Sequence, residues 1–504
     1  MEERSCLIRG GRVLRGNLQS CERADMLVED GMIAAIEPSG RIDPAHHRVV
    51  DASDRLLMPG LVNGHTHGHG ALAKGLVEDR VPLEVFLSAS GAIGGSRTIA
   101  DKRLTATLSA VELIRKGCTA CYDLFVEIPA PSREGLEAVA DAYRESGIRA
   151  VVAPMLADRT LYQALPGLLE SLPESVREQA SRLATATADA SLAVARDTFV
   201  HWPFDRDFVR PAIAPTIPLH CSDAFMTGCA ALAREFDVGL QTHLAETKTQ
   251  AVLAAQRYGE SMVAHLGRLG LTGPDFSAAH GIWIDVDDIA RLAAAGASVV
   301  HNPMSNLRIG SGVAPARAML DAGLNLAIGT DATNTSDGQN MFEALRLAAY
   351  LSRIADPDPA RWLSVEEAFR AATVGSAKAL GLRHGGRLDP GFAADVVFVD
   401  LRHVHYVPLR APLLQLVFAE NGAAVDSVMI GGRMVLEHGR MLTVDESRLR
   451  AAAAEAAARL DARNHAALEN ARAMGKLVGH FCLGHATAPF PLHRRLPDPT
   501  PHAH

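Results

Sequence analysis

The sequence has few aromatic residues, an odd number of cysteines, no long apolar run and no excess of positive charge. Aromatic residues make up 5% of the 504, and the seven cysteines are scattered along the chain. An odd, scattered set excludes a small disulfide scaffold and favours reduced thiols, so we expect a cytoplasmic protein. No run of about eighteen apolar residues occurs, which predicts no membrane-spanning helix. The formal charge of −8 offers no basic surface to nucleic acid, and we therefore expect a small-molecule partner.

The pattern of apolar residues divides the chain into four segments. Residues 1–58 contain short strand-like runs separated by turns, and residues 386–445 return to this pattern, so the two segments are predicted to form one β-sandwich. Residues 59–385 alternate apolar runs with helical segments, and residues 446–504 favour a C-terminal helix and tail. Eight βα units predict an α/β fold, a closed (β/α)8 TIM barrel. The eight predicted strands are Leu61–His67, Thr119–Phe125, Arg149–Pro154, Ala212–Ile217, Val238–His243, Ala278–Ile284, Ser298–Asn302 and Leu324–Thr330.

Polar residues with metal-binding or proton-carrying side chains end five of these strands. Because the carboxyl ends of barrel strands meet at one mouth, we expect these side chains to lie close together. Any one of them taken alone is better explained as a hydrogen-bonded core residue, but polar residues of this kind end five strands, which favours a shared site. They are His65 and His67 on the first strand, His243 and Glu246 at the fifth, His280 at the sixth, His301 at the seventh and Asp331 after the eighth.

Three neutral imidazoles and a carboxylate suit a divalent transition metal such as Zn or Fe. Such an ion lowers the pKa of a bound water towards about 7. In this interpretation Asp331 accepts the proton of the water and Glu246 carries protons to the substrate or leaving group. His280, with His301 as a further candidate, polarises the substrate or holds developing negative charge.

The motifs at these strand ends resemble those of the metal-dependent amidohydrolase superfamily. The similarity is to the branch of cytosine-deaminase-like enzymes, chlorohydrolases, and guanine or adenosylhomocysteine deaminases, and it covers about residues 5–445. The motifs are Met58 to His67, Thr242 to Thr247, His280-Gly281, His301 to Asn306, Gly329-Thr330-Asp331, and Gly386 to Gly391 with Asp395 to Val397.

The resemblance implies a barrel with a flanking β-sandwich built from both ends of the chain, and it assigns the site residues. Members with two metals bridge them through a modified Lys or a Glu on the fourth strand. No Lys occurs between Lys116 and Lys248, so we predict one metal, with zinc first and iron or manganese as alternatives. The implied ligands are His65, His67, His243 and Asp331, and the implied catalytic residues are Glu246, His280 and Asp331.

Six further residues are predicted to contact the substrate: His69, Tyr122, Arg159, His220, Trp283 and His301. For His69 the alternative is a loop histidine bonded to backbone, and for Arg159 an ion pair with Asp158. Strand aromatics such as Tyr122 and Trp283 are more often core residues than pocket residues. The sequence around Gly68–Gly75 is also similar to members that hydrolyse ureas and thiocarbamates.

Together these observations predict a hydrolase of non-peptide C–N bonds in a small nitrogenous compound, acting through metal-activated water. We favour deamination of an N-heterocycle by a homo-oligomer of this chain. The alternative is hydrolysis of an N-substituted urea, carbamate or amide. A more distant alternative is a non-catalytic barrel, although such a protein has no reason to keep the whole set of ligands and proton carriers.

Overall fold

The computed structural model describes residues 5–19, 21–128, 130–336 and 338–495. Their strands form two separate nine-stranded sheets. The first is parallel and consists of β6 (Leu61–His67), β7 (Cys118–Phe125), β8 (Arg149–Leu156), β9 (Val209–Pro215), β10 (Gly239–Leu244), β11 (Phe276–His280), β12 (Ser298–His301), β13 (Asn325–Ile328) and β14 (Asp331–Ala332). The second is mixed and consists of β1 (Ser5–Leu14), β2 (Cys21–Glu29), β3 (Met32–Pro38), β4 (Arg48–Asp51), β5 (Arg55–Pro59), β15 (Val396–Asp400), β16 (Val425–Ile430), β17 (Arg433–Glu437) and β18 (Arg440–Met441).

The parallel sheet closes on itself through its shortest strand. Strands β6 to β13 pair in chain order, and β14 returns to β6, with Asp331 opposite Thr66 and Ala332 opposite His67. Most strand residues are buried on both faces, as expected when helices cover a parallel sheet. The predicted barrel is confirmed, and its closing strand places Asp331 beside the two histidines of β6.

The mixed sheet joins both ends of the chain. Strand β5 pairs with β1 in parallel and with β15 in antiparallel orientation, so the N-terminal and C-terminal strands form one continuous sheet. Gly10, at φ +74°, lies at a bulge between Ile8 and Gly11, and β1 continues through it. The predicted flanking β element from both termini is thus confirmed, while the exact domain boundaries stay predictions.

The helices lie between and around the strands. Many begin at a Ser, Thr or Asp whose side chain accepts a backbone N–H, such as Thr98, Ser132 and Ser222. The α-helices are α1 (Leu83–Gly94), α2 (Ile99–Arg115), α3 (Arg133–Ser146), α4 (Leu161–Ala164), α5 (Leu168–Ser171), α6 (Glu174–Ser181), α7 (Ala188–Val200), α8 (Asp223–Phe236), α9 (Lys248–Tyr258), α10 (Met262–Arg268), α11 (Val286–Ala294), α12 (Pro303–Arg308), α13 (Ala316–Asp321), α14 (Met341–Ala355), α15 (Val365–Arg370), α16 (Ser376–Ala379), α17 (Pro412–Phe418) and α18 (Glu446–Thr487).

Helix α18 is 42 residues long and runs from Glu446 to Thr487, within the segment 446–504 that was predicted to form a C-terminal helix and tail. It packs against α1, α2 and α9 on the side of the barrel where the strands end. No helix within the described ranges is both long and apolar enough to span a bilayer.

Candidate metal centre and substrate cleft

The predicted site residues meet at the carboxyl ends of the barrel strands. His65 and His67 are two residues apart on β6 and therefore share a face. Ligand atoms of four buried residues lie within 4.8 Å of one another, and so do those of a second, overlapping group. The first group is His65, His67, His243 and Asp331, and the second is Glu246, His280 and Asp331.

A hydrogen bond fixes the tautomer of each imidazole in the first group. A carbonyl or amide oxygen accepts from Nδ1, so Nδ1 carries the proton and Nε2 is left with a lone pair. The distances from Nδ1 are 2.6 Å for His65 to Gln241 Oε1, 2.7 Å for His67 to the Leu124 carbonyl and 2.6 Å for His243 to the Thr216 carbonyl.

The lone pairs of these Nε2 atoms face one another, with no hydrogen-bond donor among them. Nε2 of His67 lies 3.1 Å from Nε2 of His243, although neither atom carries a proton to share. Asp331 Oδ1 lies 3.4 Å from Nε2 of His65 and 3.2 Å from Nε2 of His67. Nε2 of His65 is buried without a hydrogen-bond partner. Four facing acceptors repel one another unless a cation lies between them, so this donor set fits a divalent metal ion.

Glu246 and His280 lie next to this group. His280 Nδ1 is 2.8 Å from Asn306 Oδ1, while its Nε2 lies 3.6 Å from Glu246 Oε2 and 4.0 Å from Asp331 Oδ2. Burial lowers the pKa of His280 to about 4, so its ring is neutral at pH 7.

The environment separates the pKa values of the two carboxyl groups. Burial, followed by the negative charge of Asp331, raises the pKa of Glu246 well above its usual value. Burial alone would also raise the pKa of Asp331, but the adjacent imidazole rings of His65, His67 and His280 outweigh it and hold this pKa well below the usual value. Glu246 therefore keeps its proton to a higher pH, whereas Asp331 is ionised and can accept a proton.

The backbone at the site is strained. Ala245, His280 and Asp331 have φ of +45°, +73° and +62°, a region that side chains other than glycine rarely adopt. Gly329 cannot be larger, because a Cβ there would lie 2.4 Å from Asn302 Oδ1 and 2.7 Å from the His65 carbonyl. Such strain is found where surrounding structure enforces a functional geometry.

A cleft leads to these residues and encloses about 720 Å³, part of it open to solvent. His67, His243, Glu246 and Asp331 form its floor. One face of helix α1 forms an apolar wall, and no Lys or Arg side chain is among the described residues that line the cleft. The apolar lining residues are Leu83, Phe86, Leu87 and Ile93 of α1, joined by Val126, Ile128, Met155, Ile217 and Ile309 from other segments.

Of the six predicted substrate contacts, the structure brings only His69 to the cleft. Tyr122 lies instead in an apolar cluster inside the barrel, with its hydroxyl unpartnered. Trp283 donates from Nε1 to the Ser311 carbonyl at 2.9 Å. Arg159, His220 and His301 also lie outside the described lining of the cleft, so the structure does not support contact of these five with a substrate there.

Several residues of the site were not predicted from the sequence. Gln241 could have been found, because it precedes His243 by two positions and so shares its face of β10. The cleft residues of α1, and Asn334 and Thr335 after the last strand, had no comparable signal.

Comparison with known proteins gives the family of the chain. A model described as the Amidohydrolase family matches residues 56–435. The 5-methylthioadenosine/S-adenosylhomocysteine deaminase of Pyrococcus furiosus is 32% identical over 445 residues, which are 88% of this chain and 98% of that protein.

Two solved structures share the fold. An adenosine deaminase from Xanthomonas campestris with bound zinc has a TM-score of 0.80 at 30% identity, covering 91% of this chain and 98% of its own. An atrazine chlorohydrolase from Arthrobacter aurescens complexed with zinc has a TM-score of 0.79 at 26% identity, covering 90% and 100%. The predicted enzyme class, a hydrolase acting on carbon–nitrogen bonds other than peptide bonds, agrees with these findings. The resemblance seen in the sequence motifs is confirmed, and the chain belongs to the Amidohydrolase family.

Proposed function

We propose that the protein is a zinc-dependent deaminase that replaces the exocyclic amino group of an N-heterocycle by oxygen and releases ammonia. The observation that carries this proposal is the convergence of three unprotonated Nε2 atoms with Asp331, beside Glu246 and His280, on the floor of one cleft. The names of the deaminases to which the chain is similar support an aminated purine as the substrate class.

We assign one zinc ion to His65, His67, His243 and Asp331, through the Nε2 atoms and Oδ1. When bound, the ion acts as a Lewis acid that lowers the pKa of a water molecule towards about 7. Three nitrogens and one oxygen are a common zinc donor set, and the two similar solved structures contain zinc. Strand β9 carries no carboxylate, which supports a single ion.

The residues of the chain then divide the proton transfers. Asp331 is ionised, and its Oδ2, which faces His280, accepts the proton of the attacking water. Glu246 keeps its proton to a higher pH than an exposed glutamate and donates it to the ring nitrogen of the substrate as the water attacks. The proton accepted by Asp331 then passes to the amino group, which leaves as ammonia, and the added hydroxyl returns a proton to Glu246 as it becomes the carbonyl. His280, held by Asn306, presents an unprotonated Nε2 that orients the water by accepting its other hydrogen.

Hydrolysis of an N-substituted urea, carbamate or amide is a second candidate, because a specific feature of the cleft favours it. The wall opposite the floor is apolar and has no described cationic side chain, which suits an uncharged aryl or alkyl substituent. The chemistry at the floor is the same, but the products are an amine and, for a urea or carbamate, carbon dioxide.

Among the described residues, Cys21, Cys118, Cys121, Cys221, Cys229 and Cys482 form no disulfide, which supports a reducing compartment such as the cytoplasm. Assembly into a homo-oligomer stays a prediction.

Elemental analysis with a product screen tests the proposal. Purified protein is assayed for bound metal, for ammonia release from adenosine, 5′-methylthioadenosine, guanine and aminotriazines, and for amine release from phenylureas and carbamates. We expect about one zinc per chain and ammonia from an aminated heterocycle. Amine from a urea would select the second candidate, and no activity in zinc-loaded protein would reject both.

A further inference from the structure

Helix α1 forms a layer between the cleft and the C-terminal helix α18. The cleft is lined by residues at positions i, i+3, i+4, i+7 and i+11 of α1, which are Leu83, Phe86, Leu87, Ser90 and Gly94. This spacing places them on one face of α1. Val85 and Ser88 lie on another face, and that face meets α18.

The two helices approach each other at glycines of α18. A Cβ built on Gly475 would lie 3.1 Å from Ser88 Oγ and 3.2 Å from Val85 Cγ1, and one built on Gly479 would lie 3.1 Å from Val85 Cγ2. These distances are shorter than ordinary van der Waals contact, so a larger side chain at either position pushes against Val85, and at Gly475 also against Ser88, on the face of α1 that meets α18.

Further contacts fix α18 and the segment after it to the carboxyl-end side of the barrel. Asn464 Nδ2 donates to the Gly95 carbonyl at the end of α1, at 3.1 Å. Arg459 pairs with Asp101 at the start of α2. The Thr249 hydroxyl of α9 donates to the Cys482 carbonyl at 3.4 Å. Beyond the helix, Arg494 donates to the carbonyls of Ile282 and Ile284 at 2.9 and 2.7 Å.

We propose that α18 determines which substituents the cleft accepts, by setting the position of α1. Gly475 and Gly479 are positioning residues in this proposal, which rests on the proposed deaminase function. They lie in the C-terminal segment of the chain, beyond residue 435, where the match to the family model ends.

The effect of a larger residue on the width of the cleft follows from the position of α1 between the cleft and α18. A side chain added at Gly479 pushes against Val85, and since the opposite face of α1 lines the cleft, the cleft becomes narrower. The floor residues are held by the barrel strands, so the reaction of a small substrate is unaffected. A substrate with a large substituent loses affinity instead, because contact with a closely packed wall is sensitive to single methylene groups.

The test compares Gly479→Leu with Gly484→Leu in the zinc-loaded full chain. Gly484 lies on the same helix with no atom within 4 Å of its Cβ position, so it controls for the general effect of leucine in α18. Steady-state kinetics use adenosine as the small substrate and S-adenosylhomocysteine as the large one. Hydrogen exchange of residues 83–94 reports on α1 independently of turnover.

We expect Gly479→Leu to raise the KM for the large substrate about tenfold relative to that for adenosine, with kcat for adenosine and zinc content unchanged. Exchange in α1 should change in Gly479→Leu and not in Gly484→Leu. Adding Val85→Ala to Gly479→Leu should restore the original KM ratio of the two substrates and the original exchange in α1, because the smaller alanine leaves space for the leucine. If Gly479→Leu fails to fold, Gly479→Ala replaces it with a smaller expected change.

Two results would overturn the inference: equal KM ratios in the two leucine variants, or exchange in α1 identical to that of the original chain. If the original chain releases ammonia from neither substrate while exchange in α1 still responds to Gly479→Leu with Val85→Ala rescue, the deaminase proposal fails. The positioning of α1 by α18 then stands on the exchange result.

Discussion

Replacing Gln241 by methionine should weaken zinc binding without removing a ligand. Gln241 is fully buried; its Oε1 accepts from His65 Nδ1 at 2.6 Å, and its Nε2 donates to the Gly64 carbonyl at 3.2 Å and to Ser277 Oγ at 2.8 Å. Methionine has a similar shape but cannot accept this proton strongly. The His65 ring is then free to move its proton to Nε2, and that tautomer directs a donor at the metal.

The magnitude follows from the role of such outer partners. Losing one lowers metal affinity about 10- to 100-fold, which corresponds to about 1.4 to 2.8 kcal/mol. Competition with a chromophoric chelator measures the affinity. Gln241→Glu is the matched control, because it keeps an acceptor for Nδ1 and should retain most of the affinity. If Gln241→Met binds zinc as tightly as the original chain, the tautomer argument is refuted.

Three further predictions address proton transfer, pH and the core. Glu246→Gln should keep its zinc but lose about 10²- to 10⁴-fold in kcat, measured by ammonia release, because the amide cannot donate the proton. Burial raises the pKa of Asp123 to about 6, so the contribution of Asp123 to the unfolding free energy of the metal-free protein should fall as pH rises from about 4 to 6. Denaturant titrations should show this slope reduced in Asp123→Asn. Tyr122→Phe removes a buried hydroxyl without a partner and should raise the unfolding free energy by about 1 kcal/mol with KM unchanged; a raised KM would instead support the predicted substrate contact.

The barrel and the metal centre were predictable because both depend on short-range patterns. Two histidines two residues apart on a strand must share a face, and the carboxyl ends of parallel strands must meet. The position of Asp331 was predicted for the same reason, although it begins a separate short strand. The location of Tyr122 could also have been predicted from the sequence. It lies in the middle of β7, three residues before the strand ends at Phe125, and is therefore too deep in the barrel to reach the mouth.

The walls of the cleft were not predictable, because they depend on contacts between distant segments. Helix α1 lies in the long connection between β6 and α2, and α18, which supports it, follows more than 350 residues later. Trp283 is a similar case. Its ring lies beside Phe490 and Arg495 of the C-terminal segment, whose return to the barrel has no local signal in the sequence.

The geometry at His243 carries a prediction whose sign depends on zinc. Without the metal, His243 places its Nε2 against that of His67 at 3.1 Å, which is unfavourable. Leucine at this position removes the opposed lone pairs. The Thr216 carbonyl keeps two donors, the backbone N–H of His243 at 2.9 Å and the Thr242 hydroxyl at 3.2 Å, so no polar group is left unpartnered.

We therefore expect metal-free His243→Leu to be at least as stable as the metal-free original chain, with a gain of about 1 kcal/mol in the unfolding free energy. With zinc at about 1,000 times its dissociation constant, the original chain gains about 4 kcal/mol from binding, and the variant gains little. The order of stability thus reverses when zinc is added. Denaturant unfolding with and without zinc measures both differences, and a metal-free variant less stable by more than 1 kcal/mol would show that the four acceptors do not repel one another as the geometry requires.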